Sequence, residues 1–209
     1  IVLPRRFVLP GLWLPIYFSE ALMSHKWLHR DTLCGLVALT LFILTIPLSN
    51  WVVVNVGTVC APNGPCLIPV WPGLMAPSAV MIAGAALVLR NGVQAFLGAG
   101  YSLLAIAVGT ALSALFAQPS LVMASAAAFC FSELADFAVY TPMRRRFPAF
   151  SVVLAGLAGS FVDSWIFLTL AFGSIDFIAG QVLGKFWMAL AAGVVIRYLR
   201  PRLVPQPKF

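Results

Sequence analysis

Six long apolar stretches limit what this chain can fold into more than any other feature. They fall at roughly 33–54, 73–89, 93–116, 121–140, 150–172 and 177–197. Each approaches the ~20 apolar residues that an α-helix needs to cross a lipid bilayer. The segments between them are too short for a separate soluble module. The pattern therefore predicts an all-α fold, a polytopic transmembrane bundle of about six spans over residues 33–198.

The composition excludes a soluble domain. Of the 209 residues, 62% are hydrophobic and 9% are charged, and the mean hydropathy is +1.00. Soluble proteins carry roughly a quarter of their residues as charged side chains. A soluble domain of this size could not hide so much apolar surface in one core, so lipid must cover part of it.

The basic residues predict the orientation in the membrane. With the N-terminus inside, 12 of the 13 basic residues fall in cytoplasmic segments, as the positive-inside rule expects. They are Arg5, Arg6, Lys26, Arg30, Arg90, Arg144, Arg145, Arg146, Arg197, Arg200, Arg202 and Lys208. A nucleic-acid-binding protein would gather such charges on one exposed face. We therefore expect an inner-membrane protein with both termini cytoplasmic, residues 1–32 forming an N-terminal segment and 199–209 a basic tail.

The first 22 residues differ from the rest. They are apolar but contain Pro4, Pro10 and Pro15, which would break a helix. Met23 precedes a basic patch and resembles a natural start. We expect residues 1–22 to be either non-native sequence or a peripheral segment on the membrane surface.

Two cysteines bracket the predicted outer loop. Cys60 and Cys66 enclose a Pro/Gly-rich, uncharged segment, and a disulfide is expected if this loop faces an oxidising space. The alternative is a redox pair, although the spacing is not C-x-x-C. The histidines, His25 and His29, supply no metal-ligand set, and no Walker-type glycine loop is present. We expect no metal, no cofactor and no ATP hydrolysis by the chain itself.

Four charged residues fall inside the later spans: Glu133, Asp136, Asp163 and Lys185. An Asp, Lys or Arg near a helix centre costs ~2.5–3.5 kcal/mol on insertion scales. Counting residues at 1.5 Å each places Asp163 and Lys185 at similar depth, so they can form an ion pair. One lysine cannot neutralise three carboxylates, which favours a ligand that donates hydrogen bonds or carries a cation.

Helical spacing predicts how these residues converge. Glu133, Asp136 and Tyr140 share one face of span 4, Ser164 adjoins Asp163, and Gln181 lies one turn before Lys185. Spans 4 to 6 would thus line one cavity, and spans 1 to 3 would be mainly packing scaffold. Two alternatives remain open: a purely structural pair of Asp163 with Lys185, or a cytosolic vestibule faced by Glu133 and Asp136.

Several motifs resemble the queuosine precursor transporter family, also called the vitamin uptake transporter family. They are SELADFAVY at 132–140, RRR at 144–146, GSFVDS at 159–164 with Phe167, and Gln181 followed by Gly184 and Lys185. The resemblance covers roughly residues 33–198. Asn91 departs from it, since the family segment usually reads Arg-Asp where this chain has Arg90-Asn91.

The resemblance implies import of a 7-deazaguanine, such as preQ0 or preQ1. Glu133 or Asp136 would accept hydrogen bonds from the base, as carboxylates do in base recognition, and Lys185 or Gln181 would donate to its O6. The rings of Phe137, Phe167 or Trp165 would stack on it. The expected substrate-binding residues are Glu133, Asp136, Asp163, Lys185, Gln181, Tyr140, Ser164 and Phe167. The fold is also similar to the substrate-binding subunits of energy-coupling-factor transporters.

Other function classes stay open at this point. The chain could be a substrate-binding or assembly subunit that needs an energy-coupling partner, or a homo-oligomer, with its Gly/Ala-rich span 5 as the contact surface. It could be a membrane enzyme, either a thiol oxidoreductase using Cys60 and Cys66 or an intramembrane hydrolase using two aspartates. A transporter without enzymatic activity, working as a facilitator or a proton-coupled carrier, is the preferred interpretation.

Overall fold

The computed structural model describes residues 13–60 and 65–203, with side chains over 30–60 and 65–198. Several predictions fall elsewhere in the chain. Those for residues 1–12, for the side chains of His25, Lys26, His29, Arg200 and Arg202, and for Lys208 lie outside the described residues.

Six long helices form the described part of the chain. They are α1 (Trp13–Asn55), α2 (Val80–Leu97), α3 (Ala99–Phe116), α4 (Val122–Met143), α5 (Pro148–Phe172) and α6 (Ile178–Leu203), with a short 3-10 helix at Pro119–Leu121. Each contains a stretch long and apolar enough to cross a membrane. Large apolar side chains such as Leu115 and Met123 are exposed on the outside, where lipid would cover them. The predicted all-α bundle of six spans is confirmed.

The first and last helices, α1 and α6, are longer than predicted. Helix α1 begins at Trp13, although its membrane-spanning part is Arg30–Asn55. Pro15 therefore does not exclude a helix, because a proline is tolerated in the first turn. Helix α6 continues to Leu203, into the predicted tail.

A small antiparallel sheet joins α1 to α2. Its strands are β1 (Val59–Cys60), β2 (Cys66–Trp71) and β3 (Leu74–Pro77), in that order. The chain turns between β2 and β3 at Gly73, whose φ of 78° suits glycine. The prediction that span 2 begins at residue 73 is thus wrong, because the apolar residues there belong to a hairpin.

The shifted boundary changes the position of Arg90. Helix α2 continues to Leu97, and the turn into α3 lies at Gly98. Arg90 is therefore ten residues, or about 15 Å, from the start of α2, inside a membrane span. The prediction that Arg90 lies in an inner turn is wrong.

Helix α2 is the central helix of the bundle. It contacts each of the other five helices. It approaches α6 closely at Gly84, where a Cβ atom would lie 2.7 Å from the carbonyl oxygen of Lys185. One face of α2 also buries Arg90, Asn91 and Gln94. The prediction that spans 1 to 3 are mainly packing scaffold is wrong for α2, because this face of α2 is polar.

The small residues of α5 pack inside the chain. A Cβ atom at Gly156 would lie 2.5 Å from the Cβ of Ala189 in α6, and one at Gly159 would lie 3.1 Å from the carbonyl oxygen of Ser132 in α4. These glycines let α5 approach its neighbours. They are therefore not available as the predicted contact surface for a partner protein.

Candidate functional site

A cavity of about 310 Å³ lies at the end of the bundle that carries the β-sheet, which we call the hairpin end. All six helices contribute to its wall, through the last turns of α1, α3 and α5 and the first turns of α2, α4 and α6. Pro65 and Pro77 of the hairpin form part of its rim. The volume is in the range of small-molecule sites.

The cavity wall combines aromatic rings with uncharged polar groups. Phe129, Phe167 and Phe172 supply the rings, and Phe167 and Phe172 meet edge to face with centroids 5.9 Å apart. The polar groups come mainly from α1, α3, α4 and the connection between α3 and α4. They are Ser49, Asn50, Ser113, Gln118, Ser120 and Ser125. Such a wall suits a flat solute that has several hydrogen-bonding groups.

Lys185 organises the charged side of the cavity. Its Nζ lies 2.5 Å from Oδ2 of Asp163 and donates to Oγ of Ser164 at 2.9 Å and to Oε1 of Gln181 at 2.7 Å. These three partners fill the three donor positions of an ammonium group. Lys185 is buried, whereas the carboxylate of Asp163 is partly exposed to the cavity. Asp163 is therefore placed to accept hydrogen bonds from a solute.

A smaller cavity of about 50 Å³ adjoins the main one deeper in the bundle. Asp163 and Lys185 line both cavities. The smaller cavity also reaches Ser132 and Glu133 of α4. Glu133 thus lies beyond the main cavity, toward the other end of the bundle.

Arg90 forms a fully buried ion network with two carboxylates of α4. Its Nε donates to Oε2 of Glu133 at 2.9 Å, its Nη2 bonds Oδ1 of Asp136, and its Nη1 donates to Oε1 of Gln94 at 3.0 Å. Asn91 Nδ2 also approaches Oδ2 of Asp136, at 3.4 Å. A guanidinium presents its donors in a rigid fork that can serve several acceptors at once.

The network continues toward the opposite end of the bundle, which we call the arginine end because it carries Arg144, Arg145 and Arg146. Gln94 Nε2 donates to Oγ1 of Thr141 at 2.8 Å, and Arg144 Nη1 donates to the carbonyl oxygen of Gln94 at 2.5 Å. Polar contacts therefore run from Glu133 to Arg144 and join α2 to α4 and to the turn that follows it, on the far side of the cavities from the hairpin.

The family model described as "Putative vitamin uptake transporter" matches residues 70–199, more than half of the chain. The match begins in the hairpin and includes all the buried charged residues. The chain belongs to the vitamin uptake transporter family. No curated protein and no solved structure matches it. Six apolar helices together with this family make the protein a multi-pass membrane transporter for a small molecule.

The structure brings half of the predicted site residues to the main cavity of this vitamin uptake transporter. Asp163, Lys185, Gln181 and Phe167 line it. The predicted ion pair of Asp163 with Lys185 is present. Glu133 reaches only the smaller cavity.

Three predicted residues line neither cavity. Asp136 is fully buried against Arg90 and Asn91. Tyr140 packs in an apolar core with Val152 and Ala155. Ser164 is buried behind Lys185, from which its hydroxyl accepts a hydrogen bond.

Two of the three rings predicted to stack on a base point elsewhere. Trp165 lies in a groove on the outer surface and is 54% exposed. Phe137 lies beside the guanidinium of Arg90, whose Cζ is 5.9 Å from the ring centroid. Trp165 and Phe167 are two residues apart and therefore face roughly opposite sides of α5. The rotation of α5 determines which of the two rings faces the cavity.

Sequence reasoning missed Arg90 and the polar wall from the first three helices. The signal for Arg90 was its spacing from Asn91 and Gln94, which places three polar residues on one helical face. Asn91, which stands where the family usually has aspartate, changes the surroundings of Asp136. Its amide approaches Asp136 as a donor, whereas an aspartate there would bring a further carboxylate to the same place.

The predicted disulfide between Cys60 and Cys66 is present, and Pro65, which precedes Cys66, lines the cavity. Two contacts tie the hairpin to the end of α1. Cys66 Sγ lies 3.6 Å from the carbonyl oxygen of Val54, and Ser78 Oγ donates to that of Val52 at 3.0 Å. The cysteines therefore occupy a position that holds the hairpin over the cavity.

Proposed function

We propose that this vitamin uptake transporter imports a 7-deazaguanine, such as preQ0 or preQ1, across the inner membrane, with both termini cytoplasmic. One observation carries the proposal. The partly exposed carboxylate of Asp163 lies beside Lys185 and Gln181 in a cavity that is also lined by phenylalanine rings.

The chemistry of the base matches this arrangement. A guanine-type ring presents N1–H and an exocyclic amine as neighbouring donors, which a carboxylate can accept together. In this proposal Asp163 takes that role, and Gln181 donates its amide N–H to O6. Glu133 and Asp136 are not included, because Arg90 holds both of them outside the main cavity.

Aromatic stacking supplies the second part of the proposed recognition. Phe167 stacks on the base, which contributes ~1–3 kcal/mol per base in other proteins.

Phe167 and Trp165 provide a matched test of this site. Phe167→Ala should weaken binding of preQ0 about 5-fold to 150-fold, the equivalent of ~1–3 kcal/mol. Trp165→Ala should leave binding unchanged, because Trp165 faces outward. Purified proteins would be measured by thermal shift against preQ0, preQ1, guanine and a panel of vitamins, since a ligand stabilises the folded state by mass action.

A third variant tests the contribution of the carboxylate separately from that of the rings. Asp163→Asn should abolish the discrimination between preQ0 and an analogue that lacks the exocyclic amine. If no deazaguanine shifts the melting temperature of the wild type, or if Trp165→Ala weakens binding as much as Phe167→Ala, the proposed site is wrong.

A further inference from the structure

The charges buried between the helices do not balance. Among the described residues, Arg90 and Lys185 are the two cations of this region, and Glu133, Asp136 and Asp163 are its three carboxylates. With all five ionised, the region carries one surplus negative charge. An uncompensated charge inside a membrane protein is costly and marks an ion pathway or a proton relay in many transporters.

The three carboxylates differ in their surroundings. Both oxygens of Asp136 have donors, from Arg90 and Asn91. Asp163 is paired with Lys185, and its side chain is 22% exposed, so cavity water can solvate it.

Glu133 differs from both of these residues. Its side chain is 1% exposed, and its Oε2 accepts from Arg90. Glu133 also lines the smaller cavity, and it shares the one guanidinium of Arg90 with Asp136. A buried carboxylate that shares its counter-ion with a second carboxylate is the position where a proton removes most of the cost of the surplus charge.

The smaller cavity connects Glu133 to the substrate cavity, because Asp163 and Lys185 line both cavities. The charged groups around Glu133 are Arg90 from α2, Asp136 from α4 itself, Asp163 from α5 and Lys185 from α6. Helices α1 and α3 contribute uncharged side chains to the smaller cavity, including Ser49, Asn50 and Ser113. A proton that enters from the hairpin end therefore meets Glu133 beyond the Asp163–Lys185 pair.

We infer that Glu133 is a proton-binding site and that its protonation drives import, an inference that rests on the proposed transport function. A hydronium ion transfers its proton to the carboxylate, which leaves water and an uncharged carboxyl group. The neutral group holds Arg90 more weakly, and this loosens the contacts that close the arginine end. Release of the proton to water at that end restores the Glu133–Arg90 ion pair and closes the bundle again.

The proton site can be tested without a substrate. Glu20 and Glu133 are the only glutamates in the chain, so ¹³C-glutamate in a Glu20→Gln protein labels Glu133 alone. Infrared spectra of this protein in lipid nanodiscs should show a protonated carboxyl band that shifts with the label and disappears as the pH is raised. The band should be absent from Glu133→Gln and present in Asp176→Asn, because Asp176 is exposed and lies outside the buried charged region. A spectrum without a label-sensitive band at any pH would overturn the proton site.

Coupling needs a transport measurement with an uncharged substrate. Proteoliposomes would be given radiolabelled preQ0 and an inward pH gradient, in sodium-free buffer. Wild type should accumulate preQ0 about tenfold for each pH unit at a stoichiometry of one proton per substrate. Glu133→Gln should equilibrate preQ0 but show no accumulation. Accumulation that follows a sodium gradient, or equal accumulation by Glu133→Gln, would overturn the coupling.

The two ways of failing are distinguishable. If preQ0 neither binds nor equilibrates, the proposed function is wrong, and the infrared measurement still decides the proton site. If preQ0 equilibrates without any response to the pH gradient, the substrate stands and the coupling through Glu133 is wrong.

Discussion

Single buried side chains determine both the stability and the chemistry of this bundle. Arg90 is the clearest case, because its guanidinium serves Glu133, Asp136 and Gln94 at once. Removing one partner of a buried ion network leaves uncompensated charge, which is far more costly than losing a surface ion pair. Lysine could keep the charge but not the planar fork of donors.

Arg90→Gln should therefore destabilise the protein strongly. We expect a loss of about 3–5 kcal/mol in the free energy of unfolding. Arg90→Lys should have a stability between those of the wild type and Arg90→Gln. Reversible unfolding in mixed detergent micelles would measure it. Arg145→Gln is the control, since Arg145 is exposed and its loss should change stability by less than about 0.5 kcal/mol. Equal effects of the two substitutions would contradict the assigned role of Arg90.

At the scale of elements, close helix approach places the polar groups. Helix α2 crosses α6 at Gly84, next to the backbone of Lys185. Because backbone atoms are the nearest neighbours, no side-chain movement can make room for a methyl group there. The crossing therefore sets where Lys185 lies relative to the cavity.

Gly84→Ala should separate α2 from α6. We expect a destabilisation of about 1–3 kcal/mol, as in other overpacked interiors, together with weaker preQ0 binding. Gly100→Ala in α3 is the matched control, because a Cβ atom there meets no atom within 4 Å. It should be neutral or stabilising by up to about 1 kcal/mol. Unfolding and thermal-shift measurements on both variants would check this, and a neutral Gly84→Ala would refute the close crossing.

At the scale of the whole molecule, the two ends of the bundle differ in chemistry. The hairpin end carries the cavity and the disulfide, and the arginine end carries Arg144, Arg145 and Arg146. Basic residues favour the cytoplasmic side, and disulfides persist in oxidising compartments. Both features support the proposed orientation, with the cavity facing the periplasm.

Cysteine labelling would check this orientation. In a background with Cys34→Ala and Cys130→Ala, Ile175→Cys between α5 and α6 should react with a membrane-impermeant maleimide in intact spheroplasts. Arg145→Cys should react only after the membrane is disrupted. Ile175 and Arg145 are both exposed, so a difference in labelling reports the side of the membrane on which each residue lies. The opposite labelling pattern would contradict the proposed orientation.

The sequence by itself determined the features that depend on local periodicity. Hydropathy predicted the six spans, because a bilayer requires long apolar helices whatever they pack against. Counting depth along neighbouring spans was enough to pair Asp163 with Lys185, since helix rise is constant.

Only the tertiary structure decided where the remaining polar groups point. The hairpin over Cys66–Trp71 and Leu74–Pro77 forms by strand pairing, and a short apolar run does not distinguish a strand from a helix end. The start of α2 depends on that pairing, and with it the burial of Arg90. The rotation of α5, set by its contacts with α4 and α6, turned Phe167 inward and Trp165 outward. Such choices rest on packing between distant segments, which no local pattern encodes.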